Sequence, residues 1–367
     1  MLLVVLSSTL FANPTVIITT SAVSNPYPKT FAVNVLFSEP VIGFDATRIN
    51  VTNGTVVSVS GVQCQPNYVV VIQPVAVGDV DVFIPAGAAY SVATGAPSLA
   101  SNTLRLTGLN PSVPPSSNYN LSQWSLTLPI PLGNVSTASS IGVATLNSGY
   151  TKAPFFFTDP VTGTMNFFTP VGGGTTPGSN YARTELLEVL PGAYTTWKLS
   201  TFASNTLTAS LLVSQVPPVE KRMVIAQIHD KGNTDVFGNR ASNSPFVKLY
   251  YDLNPLDPNN NPCNGCVYAQ VRKTPSQASF LRIVNLIRNI PLNTIFTYQL
   301  TLLRDGNLTI RANGQSTQIK VSTSADNLIG WGAQELYFKA GVYNLESGTS
   351  ITVGGAASFY SLQANHT

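Results

Sequence analysis

Short β-prone runs, cut every few residues by glycine, proline or asparagine, are what most limit the folds open to this chain. "TFAVNVLF" (30–37), "YVVVIQPV" (68–75), "GDVDVFIP" (78–85), "QWSLTLPI" (123–130) and "FVKLYYDL" (246–253) each suit one strand and are too short for a typical helix. The 27 glycines and 26 prolines supply turns at the frequency such strands need and leave few helix interiors intact. No run carries a clear helical signature; only "FLRIVNLIRNI" (280–290) fits either state. "YQLTLLRDGNLTIRANG" (298–314) reads as a hairpin, two alternating runs joined at Asp305-Gly306-Asn307. The expected fold class is all-β.

A chain of 367 residues exceeds one typical domain, and the natural break is "LNPSVPPSSNYN" (109–120), where Pro and Ser concentrate. Residues 14–110 read as a small β-sandwich with no histidine and no clustered carboxylates. Residues 111–119 form the linker, and 120–367 make a strand-dominated domain. The latter fits a β-jelly roll, two packed antiparallel sheets with a concave face able to hold an extended ligand. Residues 1–13 read as a trimmed or atypical export signal, implying a secreted protein, or as a first strand behind a start methionine. Charged residues are 10% of the chain and the net charge is +3, which excludes a strongly basic nucleic-acid binder and suits one local positive site. No apolar run has transmembrane length, so no membrane partner is expected. "PCNGC" (262–266) lies between two strand-like runs and predicts a local Cys263–Cys266 disulfide. A zinc site would need a second cysteine pair, and Cys64 has no evident partner.

Three segments share a strand-phase pattern. In "YARTELLEVL" (181–190), Arg183 and Glu185 have one parity, and Glu188 falls on the opposite face. In "VIAQIH" (224–229), Gln227 and His229 point one way and Val224, Ala226 and Ile228 the other. In "LYFKAGVYN" (336–344), Tyr337, Lys339 and Tyr343 share a face opposed to Phe338, Ala340 and Val342. Singly these have plain readings: a surface ion pair, a hydrogen-bonded histidine, packing tyrosines. Their agreement in phase is the stronger observation, because three such strands in one sheet would gather Arg, Gln, His, Lys and Tyr on one patch.

"RTELL", "QIH" and "YFKAGVYNL", in this order, resemble the signature blocks of the alginate lyases of polysaccharide lyase family 7. Those blocks run Arg-Ser/Thr-Glu-Leu-Arg, Gln-Ile/Val-His and Tyr-Phe-Lys-Ala-Gly-Val-Tyr-Asn-Gln. "YNLSQWSLTLPI" (119–130) and "FFTPVGGGTTPGSNYARTE" (167–185) extend the likeness over about 117–362. Leu187 and Leu345 depart from the blocks, standing where the family has arginine and glutamine. The 14–110 segment, through "FSEPVIGFDATRINVTNGTV" and "GDVDVFIPAGAAYSVATGAPSLAS", resembles bacterial Ig-like modules and is expected to act as a spacer or adhesion module, with weak glycan binding as the alternative.

The resemblance implies a secreted, monomeric lyase needing no metal or cofactor, acting on an acidic polysaccharide, alginate. Its chemistry would be β-elimination, which removes a weakly acidic proton beside a carboxylate. Arg183 and Gln227 would hold that carboxylate, His229 would act as base and Tyr343 as acid, Tyr343 taking both roles where geometry allows. Glu185 would orient Arg183, and Tyr337 and Lys339 would contact neighbouring sugars. The isoleucine of the middle block points to poly-guluronate or mixed blocks. A glycosidase would need two carboxylates flanking the bond, and only Glu185 has the right parity. A lyase on another uronan such as glucuronan, and a non-catalytic glycan-binding jelly roll, remain as alternatives.

Overall fold

A computed structural model describes residues 12–22, 30–76, 78–131, 137–192, 195–232, 245–275, 280–320 and 330–367. The expected export segment lies almost wholly outside the described residues. The chain forms two compact units, Met1–Asn110 and Pro111–Thr367.

The first unit holds β1 (Val16–Thr19), β2 (Phe31–Ile42), β3 (Asn50–Thr52), β4 (Gly54–Gly61), β5 (Gln65–Pro74), β6 (Val80–Phe83), β7 (Tyr90–Ser91) and β8 (Leu104–Leu106). One antiparallel sheet runs β1-β2-β5-β4 with β7 also on β2, and a second runs β3-β6-β8. The period-two pattern of β2 decides its faces: Phe31, Val33, Val35 and Phe37 are buried, while Ala32, Asn34 and Leu36 are exposed. Phe37, Phe44 and Tyr68 meet edge to face with centroids 5.0–6.0 Å apart and anchor this core. Cys64 is free and exposed.

The second unit opens with two short helices, α1 (Pro115–Asn118) and α2 (Val143–Asn147), set around β9 (Trp124–Leu128) and β10 (Ser139–Ile141). There follow β11 (Phe156–Thr158), β12 (Met165–Pro170), β13 (Arg183–Glu188), β14 (Ser204–Gln215), β15 (Arg222–Asp230), β16 (Pro245–Asp252), β17 (Cys266–Arg272) and β18 (Phe280–Ile287). The last strands are β19 (Phe296–Leu303), β20 (Asn307–Ala312), β21 (Gln315–Lys320), β22 (Leu336–Asn344) and β23 (Gly354–His366). The run that fitted either state is therefore strand, β18. The expected hairpin is β19–β20, with Gly306 at φ 85° in its turn. Residues 111–119 belong to this unit: the Tyr119 hydroxyl donates to the Phe359 carbonyl (2.6 Å) and accepts from the Met165 amide (3.1 Å).

The strands form two antiparallel sheets, β10-β9-β13-β22-β15-β16-β17-β18 and β11-β12-β23-β14-β19-β20-β21, packed as a jelly roll. Inward residues of the first sheet meet the second directly. Phe338 lies 5.8 Å from the His366 ring, the Thr169 hydroxyl donates to the Val342 carbonyl at 3.1 Å, and Asn344 donates to the Thr169 carbonyl at 2.8 Å. Glu188, on the inward face as its parity requires, accepts from the Trp197 indole (2.9 Å) and the Phe338 amide (3.0 Å). Its other oxygen meets His366 Nε2 at 2.7 Å. The predicted disulfide is present, joining Cys263 to Cys266 before β17.

One strand phase departs from the sequence expectation. Between Val224 and Ala226 the β15–β22 pairing slips, so that Val224 faces Tyr343 while Ala226 faces Ala340. The β15–β16 pairing slips at the same place, with Val224 facing Tyr250 and Ala226 facing Leu249, while β22 stays in register with β13, so the bulge lies in β15 at Ile225. Val224 is thereby turned away from Ala226 and Ile228 and packs with Tyr250, Tyr268 and Tyr343. Beside the bulge on β22, Gly341 is at φ 139°; a Cβ there would stand 2.4 Å from the Thr184 carbonyl oxygen and 3.0 Å from Glu185 Cα. Gly341→Ala is expected to destabilise the second unit by about 2 kcal/mol or more. Thermal unfolding measures this, and an unchanged Tm would show that this position tolerates a side chain.

Candidate active site

The sheet order sets β13, β22 and β15 side by side, so the three sequence segments are direct neighbours. Register then fixes three rows on the outward face. Arg183 pairs with Tyr343, which pairs with Val224; Leu187 pairs with Lys339, which pairs with Gln227; Tyr337 pairs with His229. All seven sequence-selected site residues lie on this face, with Glu185 between the first two rows, opposite Gly341. The fold buries six of them, Arg183 being 6% exposed, His229 8% and Tyr343 9%, and leaves Tyr337 half-buried.

Glu185 is the hub. Its carboxylate accepts from Arg183 Nη1 at 3.3 Å and from Gln227 Nε2, and Lys339 Nζ stands 3.7 Å away. Because a carboxylate only accepts, this contact also orients the Gln227 amide, with Nε2 toward Glu185. One Nε2 hydrogen of Gln227 is left for another acceptor. Arg183 Nη2 donates to Ser179 Oγ at 2.7 Å, the guanidinium lies 3.9 Å over the Tyr343 ring, and Arg183 Nε has no hydrogen-bond partner among the described residues. Ser179 Oγ is also 3.2 Å from the Tyr343 hydroxyl, tying arginine and phenol to one hydroxyl.

The His229 tautomer follows from its neighbour. Nδ1 lies 2.8 Å from the Asp230 carbonyl oxygen, which can only accept, so Nδ1 carries the proton and Nε2 keeps its lone pair. The Tyr337 hydroxyl is also within 3.2 Å of Nδ1. Burial, then the positive charge of Lys339, holds the imidazole well below its usual value, so it is neutral at ordinary pH. Burial also pulls Lys339 down to about 8 against the opposing pull of Glu185, and pushes the Tyr337 phenol up. The contacts of Tyr337 and Lys339 in this structure are thus with His229 and Glu185.

Two neighbours went unnoticed in the sequence. Ser179 lies in a loop, where strand phase gives no signal. Lys248 on β16 pairs with Gln227, and burial lowers it to about 8. Its signal was present in "FVKLYYDL", where Lys248 and Tyr250 share a parity.

A jelly roll carrying guanidinium, amide, neutral imidazole and phenol on one recessed face has the equipment of an enzyme that handles sugar acids. Comparison with known proteins gives the class a family. A family model described as alginate lyase matches residues 119–366, and one for a bacterial Ig-like domain matches 11–103. An alginate lyase from Klebsiella pneumoniae is 27% identical over 298 residues, covering 69% of this chain and 91% of that protein. The crystal structure of an alginate lyase from Pseudomonas aeruginosa is 31% identical with a TM-score of 0.55, covering 67% of this chain and 99% of that one. A second solved lyase, A1-II′, a member of polysaccharide lyase family 7, is 28% identical with a TM-score of 0.55, over 70% and 99% of the two chains. The chain belongs to the alginate lyase family, preceded by a bacterial Ig-like domain, and is a polysaccharide lyase.

The electrostatics predict an asymmetric pH profile. A general base must be neutral, and a lowered histidine stays neutral as pH falls through 6.5; the two lysines, at about 8, lose charge as pH rises through that value. The free enzyme's kcat/KM on an anionic sugar polymer should hold level down through pH 6.5 and decline above about 8. A profile that falls below pH 7 and stays flat to 9.5 would contradict this reading of the site.

Proposed function

We propose that the second unit cleaves alginate by β-elimination, leaving a 4,5-unsaturated uronate at the new non-reducing end. The observation that carries this reading is the neutral His229 Nε2, offered on the same face as Arg183, Gln227 and Tyr343. With the uronate carboxylate on the free donors of Gln227 and Arg183, charge that moves into it as the C5–H bond breaks is met by fixed donors in a dry site. His229 Nε2 takes the C5 proton, C4–C5 becomes a double bond, the C4–O4 bond breaks, and Tyr343 gives its proton to O4. The imidazole and phenol come from the rows on either side of Gln227 and Lys339, so the reacting ring is assigned to that middle row. Glu185 positions Arg183 and Gln227 and does not itself reach the reacting atoms.

Related structures support the assignment. A variant of A1-II′ with one histidine changed to asparagine and one tyrosine to phenylalanine was solved with the substrate GGMG, and its tyrosine variant with the product GGG. Guluronate-containing blocks are accordingly the proposed preference. Ile228, fully buried behind the active face, acts on that choice only through the strand it supports. The Cys263–Cys266 disulfide supports a secreted, oxidising setting. A different uronan is favoured by one observation: Leu187 puts an apolar side chain across from Lys339, where the family has an arginine.

The test is the ultraviolet absorbance of the unsaturated product during digestion of poly-guluronate, poly-mannuronate and glucuronan. The reading expects a rise on guluronate-containing alginate, and a rise on glucuronan alone would replace the substrate. His229→Ala and Tyr343→Phe should each lower kcat by about 100-fold or more. Folded variants with near-parental rates would remove both residues from the chemistry.

A further inference from the structure

Lys248 has no part in that chemistry, yet it stands on the same face. It pairs with Gln227 on one side and Gln270 on the other, and its ammonium is 5.7 Å from the centre of the Tyr343 ring. The neighbouring cations have a counter-charge, since Glu185 meets both Arg183 and Lys339. Lys248 forms no ion pair of its own among the described residues. A half-buried ammonium without an anion is costly unless a ligand brings one. Burial, with Arg272 and Arg183 nearby, accordingly draws it down to about 8.

Charge bookkeeping across the row gives that ligand a chemistry. Arg183, Lys339 and Lys248 carry three positive charges and Glu185 one negative, leaving two, while Arg272 beyond Lys248 is answered by Asp230. The carboxylate of the reacting sugar answers one. A uronate polymer brings one carboxylate per ring, so the next ring can answer the second. The row also gives a direction. Its order is Ser125, Leu187, Lys339, Gln227, Lys248, Gln270, so the β9–β13 side presents no charge and the β16 side presents a lysine. On the β16 side Tyr250 donates to Gln270 at 3.0 Å. Those two residues also border a cavity of about 220 Å³ that continues to Tyr181, Leu345 and the Arg222–Glu220 ion pair.

We propose that Lys248 binds the carboxylate of a second uronate unit, seated beside the reacting one on the β16–β17 side of the sheet. This rests on the reading of the face as a polyuronate lyase site and adds the side on which the neighbouring sugar lies.

Lys248→Gln and Lys248→Arg in the full chain test it, with Tm confirming that both are folded. Removing one charge-assisted contact should raise KM on polyuronate about 10-fold or more, leave kcat within a few-fold, and flatten the salt dependence of KM. Lys248→Arg, which keeps the charge, should restore most of the parental KM. A Lys248→Gln enzyme with parental KM, a loss confined to kcat, or an arginine variant as weak as the glutamine one would each overturn the proposal. If the parental chain yields no unsaturated product, the lyase reading itself fails. Polymer affinity of parent and Lys248→Gln, measured by calorimetry, then decides the lysine's role separately: equal affinities reject it.

Discussion

One buried carboxylate organises the active face. Glu185 is 1% exposed and engages donors from β13, β15 and β22 through Arg183, Gln227 and Lys339. Such a group is stable inside only if its lone pairs are filled, and here the partners that fill them include the two residues to which the proposed elimination gives the substrate carboxylate. The hub carries a cost in return. Arg183 and Gln227 spend part of their donor capacity on Glu185, so the substrate carboxylate is left with the remaining donors. Their preset orientation means that little reorganisation accompanies binding, which is where electrostatic stabilisation gains its strength.

The two histidines divide along the same logic of faces. His229 looks outward with Nε2 unprotonated. His366, at the end of β23, looks inward, with Nδ1 2.8 Å from Asn205 Oδ1 and Nε2 2.7 Å from Glu188 Oε1. Nδ1 is held within its own sheet, by Asn205 of the neighbouring β14, and Nε2 joins the two sheets, so His366 has neither nitrogen to offer a substrate. Strand β13 supplies a glutamate to each arrangement, Glu185 outward and Glu188 inward. Three residues of separation on a strand are enough to send two carboxylates to opposite sides of a sheet.

This period of two is also why so much could be read in advance. The all-β class followed from turn frequency. The gathering of Arg183, Glu185, Gln227, His229, Tyr337, Lys339 and Tyr343 on one face followed from matching parity in three segments, whose adjacency in the sheet only the folded chain reveals. What failed was local. Parity grouped Val224 with Ala226 and Ile228, and the bulge at Ile225 turned it to the other face, because nothing in an unbroken apolar run marks which residue is the extra one. Lys248 was passed over for another reason. Its strand had been read as a flank of the disulfide loop, and the pairing that sets it beside Gln227 joins residues 21 apart in sequence. Ser179 sits in a loop, whose side-chain directions follow from tertiary contacts alone.

The same geometry separates elimination from hydrolysis. A glycosidase works with two carboxyl groups roughly 5–10 Å apart across the scissile bond. Glu188, the nearest carboxylate to Glu185 in sequence, faces the opposite sheet and is committed to Trp197, the Phe338 amide and His366. Asp252 shares the outward face but lies three strands and about four residues away, on the order of 20 Å by strand spacing and rise. It is further held by Asn254 and the Tyr268 hydroxyl. Glu185 therefore has no partner at hydrolytic distance among these groups, and its lone pairs are taken up by Arg183, Gln227 and Lys339. A neutral imidazole and a phenol above a positively charged row suit the removal of a carbon-bound proton beside an anion. The placement of one carboxylate, behind its donors and away from the sugar, is what turns this sheet from a hydrolase surface into that of a lyase.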